Sequence, residues 1–215
     1  MAQAVIAVRG GRGAKTRCAA VLSGTDRARL TGVMLEDMLN ALSRCAEVSQ
    51  TWVVTPTPDL AALARDRGAR VIRQPRAAGL NAALHLAIAE VCETAPYDPL
   101  LLMPGDLPLL KPEDLTAALL LLRNHMVTLA PALDGGTGLI ALRAGAVLTP
   151  AFGEGSFQRH AGAAARSGLS VAVIGADSLS RDIDRPDDLL DMLKGGSASL
   201  TGAFLCDRLK PRIKS

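Results

Sequence analysis

Apolar residues along this chain come in short aliphatic runs separated by stretches with helical spacing, and that alternation predicts most of its elements. Residues 4–8 (AVIAV) read as a buried first strand. Leu30, Val33, Met34, Met38, Ala41 and Leu42 then fall on one face of a helix. Residues 51–54 are a second strand closed by Pro56 and Pro58, 59–67 a helix ending before Gly68, and 69–73 a third strand. The order continues with a helix over 80–92, a strand over 100–103, a helix over 112–123 with proline in its first turn, and a strand over 127–130. Beyond Ala130 the pattern loosens into DGGTGLIAL (134–142), followed by a helix over 156–166, a strand over 170–174 and a last helix starting near Pro186. Strands alternating with helices at this spacing are the signature of βαβ units. The expected fold is α/β: a single-domain, Rossmann-like, mixed but mainly parallel sheet flanked by helices.

Residues 1–194 are read as that one domain, and 195–215, glycine and serine followed by a basic end, as a loosely held C-terminal tail. At 215 residues the chain suits one well-buried domain. Apolar residues make up 49% but aromatics only 2%, so the core must be Leu, Val, Ala and Ile, as in sheets covered on both faces. A net charge of +3 suits a small anionic ligand; with so few aromatics to stack on bases, no nucleic-acid partner is expected. The four cysteines show no C-x-x-C spacing, which suggests neither a zinc site nor a redox pair. The longest apolar run, 115–122, is too short to span a bilayer, and the chain opens without a charged, then apolar, leader. No membrane partner and a cytoplasmic location are therefore expected. Nothing in the pattern fixes the oligomeric state, and a homodimer is allowed.

The first strand opens into VRGGRGAKTR (8–17), where glycines let backbone N–H groups approach an anion that Arg9, Lys15 and Arg17 can neutralise. It is not a Walker loop, because Arg9 and Ala14 stand where that motif needs glycine. Nor is it the dinucleotide fingerprint, since Gly11 and Gly13 are followed by Thr16 rather than a third glycine. A phosphate site and a solvated basic turn both remain open for this stretch alone.

Two acidic positions stand at strand ends. Asp106 follows the leucine strand in LLLMPGDLPLL, and Asp184 precedes a proline-initiated helix in DIDRPDDL (182–189). Asp187 and Asp188 fit the acidic preference of a helix N-terminus. Asp184 could be an N-cap; with Asp106 it could also hold Mg²⁺, which takes one or two carboxylates together with ligand phosphates.

Seven blocks occur in a fixed order: AKTR (14–17), LTGVMLEDML (30–39), GLNAAL (79–84), GDLPLL (105–110), APALDGGTG (130–138), FGEGSFQRH (152–160) and DIDRPDDL. The series resembles the guanylyltransferases of coenzyme F(420) biosynthesis, which join GMP to 2-phospho-L-lactate, phosphoenolpyruvate or 3-phosphoglycerate. The resemblance runs from about residue 4 to 193 and implies a nucleotide-diphosphosugar-transferase-like fold with its site over strand ends. It implies that Arg9, Lys15 and Arg17 meet the GTP phosphates and that Asn81 lies near the nucleotide. It implies Mg²⁺ on Asp106 and Asp184, with Asp182 as a further ligand. Thr137, Gly153 and Ser156 would hold the phosphorylated acid, with phosphoenolpyruvate the first expectation and 3-phosphoglycerate next. The chain departs from the family at its first loop, where RGGRG replaces a proline- and lysine-containing stretch, and at Gly138, where many members carry asparagine. Another nucleotidyltransferase of the same fold, cytidylyl- or molybdopterin-guanylyl-type, and a noncatalytic nucleotide-binding regulator are the competing readings.

Overall fold

The computed structural model describes residues 1–74, 78–196 and 198–213, with side chains to residue 209 in the last segment. Its strands are β1 (Ala2–Ala7), β2 (Val48–Thr55), β3 (Arg70–Arg73), β4 (Leu100–Pro104), β5 (Val127–Pro131), β6 (Thr137–Leu142) and β7 (Val171–Val173). The helices are α1 (Gly24–Ser43), α2 (Pro58–Asp66), α3 (Leu80–Thr94), α4 (Pro112–Leu121), α5 (Ser156–Arg166), α6 (Asp177–Ser180), α7 (Pro186–Lys194) and α8 (Leu200–Ile213). Proline opens α2, α4 and α7, where its missing N–H is no loss and its fixed φ suits the first turn.

The seven strands form one sheet in the order β3-β2-β1-β4-β6-β5-β7. The β1–β2, β1–β4, β2–β3 and β5–β7 pairs are parallel, and β6 runs antiparallel to both of its neighbours. This is the mixed, mainly parallel sheet that the pattern predicts. The looser stretch after Ala130 is in fact the turn into β6, every residue of which is buried. A strand with both faces covered carries no apolar–polar alternation, so periodicity alone could not reveal it.

Successive side chains of β1 point to opposite faces. Ala4 and Ile6 pack with Leu35, Met38, Leu42, Leu60 and Leu115 from α1, α2 and α4. Val5 and Ala7 pack with Leu84, Ala87 and Val91 of α3 and with Ala164 of α5. Register then decides what stands at the site edge. Leu102 of β4 lies opposite Ile140 of β6, so Thr137, at the start of β6, is level with the end of β4. The antiparallel strand thereby brings its first residue to the same edge where β1 and β4 release the basic loop and Asp106. Gly138 is required there: a Cβ at that position would lie 1.7 Å from the Leu179 carbonyl oxygen of α6.

The expectation of a loose tail is corrected for residues 200–209. Phe204, Leu205 and Leu209 are buried in a third apolar cluster with Cys18, Leu22, Leu30 and Met34 beneath them and Leu189 and Met192 of α7 alongside. Asp37 of α1 caps α8, accepting from the Leu200 N–H at 2.9 Å and from the Thr201 N–H at 2.8 Å. Residues 197, 214 and 215 of the expected tail lie outside the described residues. Because Leu205 is fully buried, Leu205→Ala should cost about 2–4 kcal/mol in urea unfolding. A loss near zero would restore the loose-tail description.

Candidate active site

Leaving β1, the chain turns through glycines and reaches Lys15 in the left-handed region (φ 50°), the only non-glycine residue with positive φ among those described. Arg27 of α1 fixes this path. Its guanidinium donates to the carbonyls of Ala14 at 3.1 Å, Leu22 at 2.8 Å and Arg12 at 2.9 Å. Arg27 carries no signal in the sequence pattern, because its partners are backbone atoms that leave no mark in side-chain identity.

The Lys15 ammonium lies 2.8 Å from Asp106 Oδ2 and 3.5 Å from Asp184 Oδ1. Arg17 pairs with the other oxygen of Asp184. Burial alone would lower the Lys15 pKa, but Asp106, by charge and by hydrogen bond, followed by Asp184 and Asp182, raises it above its ordinary value. Asp106 Oδ1 is buried and has no hydrogen-bond partner. A lone carboxylate oxygen facing a polar site is an open acceptor for a cation. Asp182 is pushed up to about 6, first by burial and then by the charges of Asp106 and Asp134. Asp184 is not a helix cap. Arg185 holds the N-cap position of α7 in a capping box with Asp188, whose Oδ2 accepts from the N–H groups of Asp184 at 2.9 Å and Arg185 at 2.6 Å. Among the described residues no group of three or more His, Cys, Asp and Glu is placed to hold a metal by itself. Lys15, Arg17, Asp106, Asp182 and Asp184 are thus brought together as a mixed cation–carboxylate centre.

Arg9 stands apart from that centre, beside a cleft of about 280 Å³ lined also by Val8, Gln74, Gly79, Leu80 and Ala83. Asn81 is spent on structure: its Oδ1 accepts from the Phe152 N–H at 2.7 Å and its Nδ2 donates to the Phe152 carbonyl at 3.1 Å. It ties the start of α3 to the glycine loop that precedes α5. Gly153 (φ 127°) and Gly155 (φ 63°) turn that loop in the region that favours glycine. Ser156 begins α5 and is fully buried, with its hydroxyl donating to Thr137 Oγ1 at 3.0 Å. Thr137 Oγ1 also lies 2.9 Å from Nδ1 of the buried His160. The 134–137 turn and the 152–156 loop therefore meet through Thr137 and Ser156, and Asp134 of the same turn is near enough to raise Asp182 by its charge.

Burial, and to a lesser degree the Arg159 charge, depresses His160 to about 4 from its ordinary 6.5. The unfolded chain accepts a proton that the folded one refuses, so this residue withdraws stability as pH falls through that window. Between about pH 7 and pH 4, the wild type should lose on the order of 3 kcal/mol more than His160→Asn in urea unfolding at stepped pH. A difference that stays constant with pH would contradict a neutral, buried imidazole.

The family described as "Guanylyl transferase CofC like" matches residues 2–210. A 3-phospho-D-glycerate guanylyltransferase of Phenylobacterium zucineum is 52% identical, with 100% of each chain covered. A phosphoenolpyruvate guanylyltransferase of Thermomonospora curvata is 38% identical over 89% of this chain and 82% of its own. Among solved structures, a Desulfovibrio desulfuricans protein described as a nucleotide-diphospho-sugar transferase superposes with a TM-score of 0.81 at 22% identity, covering 96% of this chain and 95% of its own. A nucleotidyl transferase from Methanothermobacter gives a TM-score of 0.66 at 20% identity, covering 91% and 97%. The two structures agree on the fold that the strand order describes, and the sequence matches span nearly every element that builds the site: this chain belongs to the CofC-like guanylyltransferase family.

Proposed function

We propose that this chain transfers GMP from GTP to the phosphate of a small phosphorylated carboxylic acid, releasing pyrophosphate, as in coenzyme F(420) biosynthesis. The observation that carries this reading is the centre made by Lys15, Asp106 and Asp184, with one buried Asp106 oxygen left without a partner. Phosphoenolpyruvate, the first expectation, yields its place to 3-phospho-D-glycerate, the acid for which the 52% identical relative is named.

The donor set suits Mg²⁺, which accepts two carboxylates and completes its shell with phosphate oxygens and water. Asp106 and Asp184 would hold it, with Asp182 beside them. When bound, such an ion supplies charge neutralisation along the triphosphate. The chain's own residues account for the rest. Lys15 and Arg17, now paired with carboxylates, offer their N–H groups to the phosphates of GTP. Arg9 extends that cationic lip toward the cleft beside β1. Thr137, Gly153 and Ser156 form the wall against which the acid is placed.

In the reaction, an oxygen of the acid's phosphate bonds to the α-phosphorus while the bond from that phosphorus to the β-phosphate bridging oxygen breaks, and the electron pair leaves with pyrophosphate. The attacking oxygen is already ionised near neutral pH. No side chain needs to take a proton, and the protein's contribution is positioning two anions and screening their repulsion.

The test offers GTP, CTP, ATP and UTP in turn with Mg²⁺ and each of the three phospho-acids, with mass analysis of the product. A guanylated acid with stoichiometric pyrophosphate is expected. Product formed only from another nucleotide, or GTP binding without pyrophosphate release, would contradict the assignment. Asp106→Asn should lower turnover by at least about a thousandfold while leaving the unfolding midpoint near that of the wild type. Near-normal turnover would remove Asp106 from the reacting centre.

A further inference from the structure

His160 is 1% exposed and both of its ring nitrogens have partners, yet none of the chemistry above uses it. The Ala151 N–H donates to Nε2 at 2.8 Å. A nitrogen that accepts from an amide carries no proton, so in the neutral ring the proton must sit on Nδ1. Nδ1 lies 2.9 Å from Thr137 Oγ1, and the bond therefore runs from His160 to the threonine. Ser156 donates to the same oxygen at 3.0 Å. Thr137 Oγ1 thus receives two hydrogen bonds that occupy its lone pairs. Its own proton is left over, and it has no acceptor among the described residues.

We infer that His160 is a positioning residue for the acid substrate: held as the Nδ1–H tautomer by the Ala151 amide, it fixes the Thr137 hydroxyl as a donor toward an anionic oxygen. Without the Nδ1–H, Thr137 could turn its proton back to the vacated ring nitrogen or to Ser156, and an anion would meet a lone pair in place of a proton. Two neighbours keep the ring in place. Phe152 packs edge-on to it with ring centroids 5.2 Å apart. Arg159, one residue before it, is engaged by the carbonyls of Glu154 and Ala151 at 2.5 Å and 3.0 Å, and so braces the same loop from outside. The 151–160 segment therefore closes on itself around one imidazole, and the end product of that closure is the orientation of a single hydroxyl on β6.

This inference rests on the proposed acid site, and its test separates the two. His160→Asn keeps an N–H donor near the Nδ1 position, whereas His160→Gln carries its amide out to the Nε2 position and leaves Thr137 without that donor. With whichever acid the wild type turns over, His160→Gln should raise KM for the acid at least tenfold with KM for GTP changed less than twofold. His160→Asn should bring the acid KM back to within about threefold of wild type. Equal losses in the two variants, parallel rises in both KM values, or a wild-type acid KM in His160→Gln would overturn the inference. Thr137→Val serves as the control. If it raises the acid KM and His160→Gln does not, only the role of His160 fails; if it leaves the acid KM unchanged, the acid site itself is misplaced. Long-range proton–nitrogen NMR of the wild type needs no variant to fold. It should show His160 protonated on Nδ1 and bare on Nε2, and the opposite tautomer would refute the proposal.

Discussion

Lys15 stands between two carboxylates brought from distant parts of the chain, and the arrangement of the site depends on that contact. Asp106 is 91 residues from Lys15 in sequence, and Asp184 is 167 from its other partner, Arg17. At an effective dielectric near 20, two like charges about 4 Å apart repel by about 4 kcal/mol. A fold that gathers Asp106, Asp182 and Asp184 at one edge needs a cation among them, and the lysine supplies it. In the proposed function the same centre would meet a polyanion: Lys15 and Arg17 would turn to the phosphates, and Asp106 and Asp184 would hold Mg²⁺, which neutralises charge along the triphosphate.

The sheet makes this possible by a reversal. The parallel strands β1 and β4 end side by side, releasing the basic loop and Asp106. Because β6 runs antiparallel against β4, its first residue, Thr137, arrives at that same edge. Gly138 then lets the Leu179 carbonyl of α6 lie almost on the strand, and the chain from α6 leads directly into Asp182 and Asp184. Asn81 and Arg27 act at the margins of the same design. One pins the 152 loop to α3, and the other draws the carbonyls of the 12–22 segment onto α1.

Much of this was legible in the sequence, for physical reasons that also mark the boundary. Strands β1, β4 and β5 are short aliphatic runs bounded by turn residues, and α1 shows its buried face at helical spacing, so both are visible from composition and period. Lys15 and Asp106 could be singled out as charged residues in the turns beyond strands, and Asp184 by its place before a proline-initiated helix; the expected strand before Asp184 is corrected, since α6 lies between β7 and that residue. Strand β6 was obscured by glycines and by burial on both faces. Helix α8 was hidden behind glycine, serine and a basic end, although Phe204, Leu205 and Leu209 carry helical spacing; what secures it is a cap from Asp37, 163 residues earlier than Leu200. The His160–Thr137 and Asn81–Phe152 contacts join separate elements, and the second ends on backbone atoms, which no residue pattern records.

In the proposed function, the Lys15–Asp106–Asp184 centre receives the triphosphate. The most direct measurement is a crystal structure of the chain grown with Mg²⁺ and a GTP analogue that cannot be cleaved at the α-phosphorus. The ion should be bound by Asp106 and Asp184, with Lys15 turned onto a phosphate. A triphosphate seated elsewhere, with the lysine still bridging the two carboxylates, would contradict this.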